Sequence, residues 1–176
     1  MKKNIAVLLS IFLFSCMATK TIAIKGAYPV PPITTSTDRP FDKVWDRVID
    51  YFAQNGIPIK IIDKSSGLIV SDKAKLTWSF EDKNGQIFSK TAFVVLDKVI
   101  YSMTGKPFPP EIVTGEWNVR IKTDGGKTLI NVNLYNIQAT YVKYYYTSYA
   151  HTSVEPVTVE GKTTGVFEEK FADMVK

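Results

Sequence analysis

From Ile57 onward the chain is a series of short apolar runs divided by tight-turn sequences, and this limits its folds more than any other feature. Ile57, Ile59 and Ile61 alternate with Pro58, Lys60 and Ile62, and Asp63-Lys64-Ser65-Ser66-Gly67 has turn chemistry before Leu68-Ile69-Val70. Further strand patterns cover 75–80, 91–96, 99–103, 116–123, 127–137 and 154–159, with Glu81-Asp82-Lys83-Asn84-Gly85 as a second turn. Asp124-Gly125-Gly126 is a strong hairpin signal, because a tight turn needs positive φ where glycine adopts it freely. Strands joined by such turns cannot be parallel crossovers, so the sheet is expected to be antiparallel.

Helix flanks this strand region on both sides. Phe41, Val44, Trp45, Val48, Ile49 and Phe52 form one apolar face at helical spacing, which predicts a helix over 39–54. Asp38 is the expected N-cap, Pro40 suits the first turn, and Asn55-Gly56 supplies the stop. Asp42, Asp46 and Asp50 recur at four-residue spacing, but Lys43 and Arg47 lie between them. That mixture describes a solvated helix face better than a metal or acid–base pair. A second helix is expected over 165–175, with Phe167, Phe171, Met174 and Val175 on one face. The fold class is therefore α+β: an antiparallel sheet packed against one long helix and a C-terminal helix.

The amino terminus has a different character. Lys2 and Lys3 precede an apolar run from Ile5 to Phe14, too short for a membrane span of roughly 20 residues and suited to an export signal. Leu13-Phe14-Ser15-Cys16 resembles the lipobox of bacterial lipoproteins, with an aliphatic residue at −3 and a small one at −1. The resemblance implies cleavage before Cys16 and lipid attachment to it. Met17 in place of Asp at the next position implies sorting to the outer membrane, with the domain periplasmic. The alternative is an ordinary secretory signal cut after Ala18 or Ala23, which would discard Cys16. Residues 1–16 then form the signal, residues 17–37, rich in Pro, Thr and Ser, form a tether ending in a short strand at 33–36, and residues 38–176 form one domain.

Composition excludes most chemistry. Cys16 is the only cysteine and His151 the only histidine, which leaves no disulfide and almost no route to zinc, copper or Cys–His nucleophiles. The net charge of +5 includes Lys2, Lys3, Lys20 and Lys25 of the signal and tether, so the domain carries no basic stripe able to follow phosphates. Nucleic acid is not an expected partner. Ser148, His151, Ser153 and Glu155 offer hydrolase residue types within one segment and without a nucleophile elbow. Gly161-Lys162-Thr163-Thr164 lacks the upstream glycine of a phosphate loop. No catalytic residue, metal site or cofactor is expected.

One tract stands out. Tyr135, Tyr141, Tyr144, Tyr145, Tyr146 and Tyr149 fall within a short stretch, and tyrosine gives large contact area while keeping a polar end. Tyr141, Tyr144, Tyr145, Tyr146 and Tyr149 are the candidate interaction surface; the alternative is a strand whose tyrosines half-bury against the sheet. Trp45 belongs to the helix core face, and Trp78 and Trp117 to strand patterns in the core.

The run Phe41–Phe52, then Asn55–Asp63, then Ser66-Gly67-Leu68-Ile69-Val70 resembles the helix, strand, Asp-x-x-x-Gly turn and strand of BamC-like outer-membrane lipoproteins. The resemblance implies a helix-grip domain, no catalytic residues and an association with outer-membrane β-barrel assembly. Two functions are therefore expected: a non-catalytic, membrane-anchored interaction or scaffolding module with an envelope protein partner, or a helix-grip module holding a lipid or other apolar ligand between helix and sheet.

Overall fold

A computed structural model describes residues 19–21, 24–82, 84–101, 107–146 and 152–175. Cys16, the export signal, Tyr149 and His151 lie outside the described residues. Strands β1 (Thr19–Thr21) and β2 (Ile33–Thr37) precede helix α1 (Phe41–Gln54). Strands β3 (Ile59–Asp63), β4 (Leu68–Ser71), β5 (Ala74–Lys75), β6 (Trp78–Phe80), β7 (Val94–Leu96), β8 (Lys98–Tyr101) and β9 (Pro107–Phe108) follow. Three long strands, β10 (Ile112–Asp124), β11 (Lys127–Tyr146) and β12 (Thr152–Thr163), lead into helix α2 (Val166–Val175). The architecture is α+β with a mostly antiparallel sheet; β6 and β7 form a parallel pair.

The main sheet runs β3-β4-β10-β11-β12-β7-β6, and β1-β8-β9 form a smaller one. The β10–β11 turn is the one expected: Asp124 opposes Lys127, and Gly125 and Gly126 have φ of 55° and 79°. β11 organises the molecule because it is long enough to serve two partners along one edge. β2 pairs with its first part, Thr128 to Val132, and β12 with its last, Gln138 to Tyr146. Between them β11 bulges: Asn136 and Ile137 stand opposite Gly115 of β10, and Asn136 takes φ 50°. The Glu116 carboxylate braces the bulge by accepting hydrogen bonds from the Tyr135 hydroxyl and the Asn136 amide.

The core follows the sequence pattern. Val44, Trp45, Val48 and Phe52 of α1 are buried with Val119, Ile121 and Trp117 of β10 and Ile130, Val132 and Leu134 of β11. Phe167 of α2 stands at the centre, stacked on Trp117 at 3.4 Å and edge-on to Tyr51 and Phe93 at 5.6 and 5.3 Å. Trp45 and Trp117 are core residues as expected, and Trp78 is half-buried beside the core.

Two local expectations are corrected. The α1 helix begins after Pro40 with no side-chain cap; Asp38 instead lies 3.5 Å from Lys127 beside the hairpin turn. The described part of the expected tether is built into the fold. The short strand expected at 33–36 forms as β2 on β11; beyond that expectation, β1 pairs with β8, and the backbone N–H groups of Lys25 and Gly26 donate to the buried Glu81 carboxylate at 2.7 and 2.9 Å. Proline and threonine are compatible with a coil, but β8, β11 and a carboxylate more than fifty positions away supply partners for this segment.

Candidate interaction surface

The tyrosine tract divides. Tyr141 is not a surface residue: it is almost wholly buried, opposite Val157 on β12, and its hydroxyl donates to the Lys98 carbonyl at 3.3 Å. Burial first, and the Asp97 carboxylate second, push its pKa up to about 12. Its place on β11 gives it to the core beneath β8, which composition alone does not reveal. Tyr135 supports the bulge. Tyr144, Tyr145 and Tyr146 occupy the last positions of β11, in register with Val154, Ser153 and Thr152.

A surface that the sequence reading missed lies at the other side of the sheet. β3 pairs only with β4, so its outer edge has no strand partner among the described residues. Ile59, Ile61 and Ile62 on this strand are exposed by 37%, 46% and 55%. α1 packs chiefly on β10 and α2, and the three isoleucines remain exposed. The signal was present in Ile59-Lys60-Ile61-Ile62, where adjacent isoleucines break strict alternation. The register shift between Ile59 and Ile61 is the structural counterpart of that break.

A cavity of about 310 Å³ lies in the gap between β2 and β12 on the edge of β11. Tyr28, Pro29, Val30 and Pro31 form one wall, and Leu134 to Ile137 with Gly161 to Thr163 form the rest. The Tyr28 hydroxyl donates to Glu81, fixing this wall to the domain. Burial would raise the Glu81 carboxyl, but hydrogen bonds from Tyr28, Lys25 and Gly26 outweigh it and hold the pKa below its ordinary value. Burial and Glu81 both raise Tyr28. The space between α1 and the sheet, by contrast, is filled by Trp45, Val48, Phe52, Trp117 and Phe171.

Among the described residues, the candidate chemistry does not assemble; Ser148 and His151 lie outside them. Gly161 to Thr163 belong to β12, and the Thr163 hydroxyl donates to the buried Glu168 carboxylate at 2.8 and 2.9 Å, not toward a phosphate site. Among the described residues no three His, Cys, Asp or Glu side chains group as metal ligands, and no helix is long and apolar enough to cross a membrane. Ser153 and Glu155 sit along β12, at register positions opposite Tyr145 and Lys143. Compared with known proteins, the chain matches no family model and no curated relative.

Proposed function

We propose that this chain is a bacterial outer-membrane lipoprotein, held by lipid on Cys16, whose periplasmic domain is a non-catalytic interaction module of the BamC-like, helix-grip kind serving outer-membrane assembly. The observation that carries the reading is the exposed isoleucine edge of β3. An outer strand offers unpaired N–H and C=O groups, and a partner segment adding as a further strand would satisfy them while covering Ile59, Ile61 and Ile62. The filled space beneath α1 supports this reading over the apolar-ligand alternative, since a helix-grip ligand would need that volume. The lipobox resemblance of Leu13–Cys16 supports the anchor.

The test is a photo-reactive side chain at Ile62 in native membranes, with Lys43 on the exposed face of α1 as control. A discrete envelope-protein adduct is expected from Ile62 alone, and Ile61→Asp should abolish it. No adduct from Ile62, or equal adducts from both positions, would count against the module.

A further inference from the structure

The register of the strands fixes which end of the domain the amino terminus leaves from. Thr19 opposes Ile100 on β8, and Thr21 opposes Lys98. The Lys98 carbonyl accepts the Tyr141 hydroxyl, which puts the end of β1, at Thr21, one strand away from Tyr141, and Thr19 two positions further along β8 at Ile100. Tyr144 is three positions further along β11 than Tyr141, while the Asp124–Lys127 turn is fourteen positions away in the other direction. At about 3.3 Å per residue the turn is roughly 45 Å from Tyr141. Only Met17 and Ala18 separate Cys16 from Thr19, a reach of about 10 Å.

From this juxtaposition we propose that the end of the β11–β12 ribbon carrying Tyr144, Tyr145 and Tyr146 rests against the lipid surface in which Cys16 is anchored. The inference rests on the lipid-anchor reading above. A lipid interface suits this sequence: tyrosine is favoured at headgroup depth, where one end of the ring is wet and the other apolar. Lys20, Lys98 and Lys143 belong to the same region by register, with Glu155 opposite Lys143 and Asp97 next to Lys98. Anionic headgroups attract such a near-balanced charge set only weakly, so the preference for a lipid interface rests on the tyrosines. The same geometry keeps the β3 edge clear of the bilayer. β3 joins the sheet through β4, which pairs with Asn118 to Arg120 of β10, and Asn118 opposes Asn133 of β11. Asn133 is eleven positions from Tyr144, about 35 Å along the strand. One end meets the membrane and the isoleucine edge stands off from it.

The experiment uses the full-length acylated protein in phosphatidylethanolamine–phosphatidylglycerol vesicles. Cys16 is the sole cysteine, and in the lipid-anchor reading its sulfur is blocked as a diacylglyceryl thioether, so a nitroxide reports only an introduced thiol. Labels are placed by Lys143→Cys or Tyr145→Cys at the ribbon end and by Lys122→Cys near the opposite turn, each variant checked for wild-type thermal unfolding. The ribbon-end labels are expected to collide with a polar nickel chelate at a rate roughly threefold or more below the Lys122→Cys label, and with oxygen at an equal or higher rate. Either ribbon-end variant suffices if the other fails to fold. Equal nickel accessibility at both ends, with Cys16 acylated and the protein vesicle-bound, would overturn the orientation and leave the anchor standing. Shielding from both reagents would overturn it in favour of a protein contact. Absence of acyl mass on Cys16 would overturn the anchor and the orientation together.

Discussion

Gly67 closes the turn between β3 and β4, and two independent constraints act on it. Its φ is +69°, and a Cβ there would lie 1.8 Å from the Ile121 carbonyl oxygen. The backbone approaches this closely because Ile121 N–H donates to the Gly67 carbonyl at 2.8 Å. Gly125 shares the first constraint, at φ +55°, but faces open space. Gly67→Ala is therefore expected to cost at least about 3 kcal/mol, and Gly125→Ala only about 1 kcal/mol, by chemical denaturation. Equal costs would refute the close-approach argument. Glu168 gives a second residue-scale prediction. Burial raises its carboxyl above the ordinary range, against the opposing hydrogen bonds from Thr163 and its own backbone N–H. A raised carboxyl pKa means the folded state binds more protons than the unfolded one, so this group's contribution to stability falls as pH rises from the ordinary carboxylate value through the folded one. Glu168→Gln should therefore gain stability relative to wild type between pH 4 and pH 7. A gap that does not widen with pH, in melting curves across that range, would contradict this.

At the scale of elements, helix and hairpin were legible because their causes are local. The face from Phe41 to Phe52 and the turn at Gly125-Gly126 need no distant partner to be recognised. The segment before α1 was not legible, since its order comes from Glu81, β8 and β11. Nor was the assignment of Tyr141, which depends on how far β11 extends past its bulge. The clasp at Glu81 makes a prediction of its own. Glu81→Ala removes the acceptor of two backbone N–H groups and one hydroxyl, and should cost about 2 kcal/mol. Amide exchange should rise over residues 25–32 and stay unchanged in α1. Because the Glu81 pKa is held below its ordinary value, acidification through the carboxylate range should weaken the same clasp in the wild type. Unchanged exchange in the variant would mean that strand pairing alone holds the segment.

At the scale of the whole molecule, the two proposed contacts lie at different places on one sheet. The α+β class followed from turn chemistry and periodicity, while the β3 edge showed in the sequence only as the break in alternation at Ile61-Ile62; that β3 is the outer strand of the sheet is a tertiary fact. The core side chains packed beneath α1 support the proposed contact reading over ligand storage. Everything proposed about location depends on Cys16. The most direct measurement is metabolic labelling with an alkyne fatty acid followed by membrane fractionation of the wild type and Cys16→Ser. The wild type is expected to carry the label and sediment with outer membranes, and the variant to lose the label and appear in the soluble periplasmic fraction. Continued membrane retention of Cys16→Ser, or an unlabelled wild type, would contradict the lipid anchor on which the account rests.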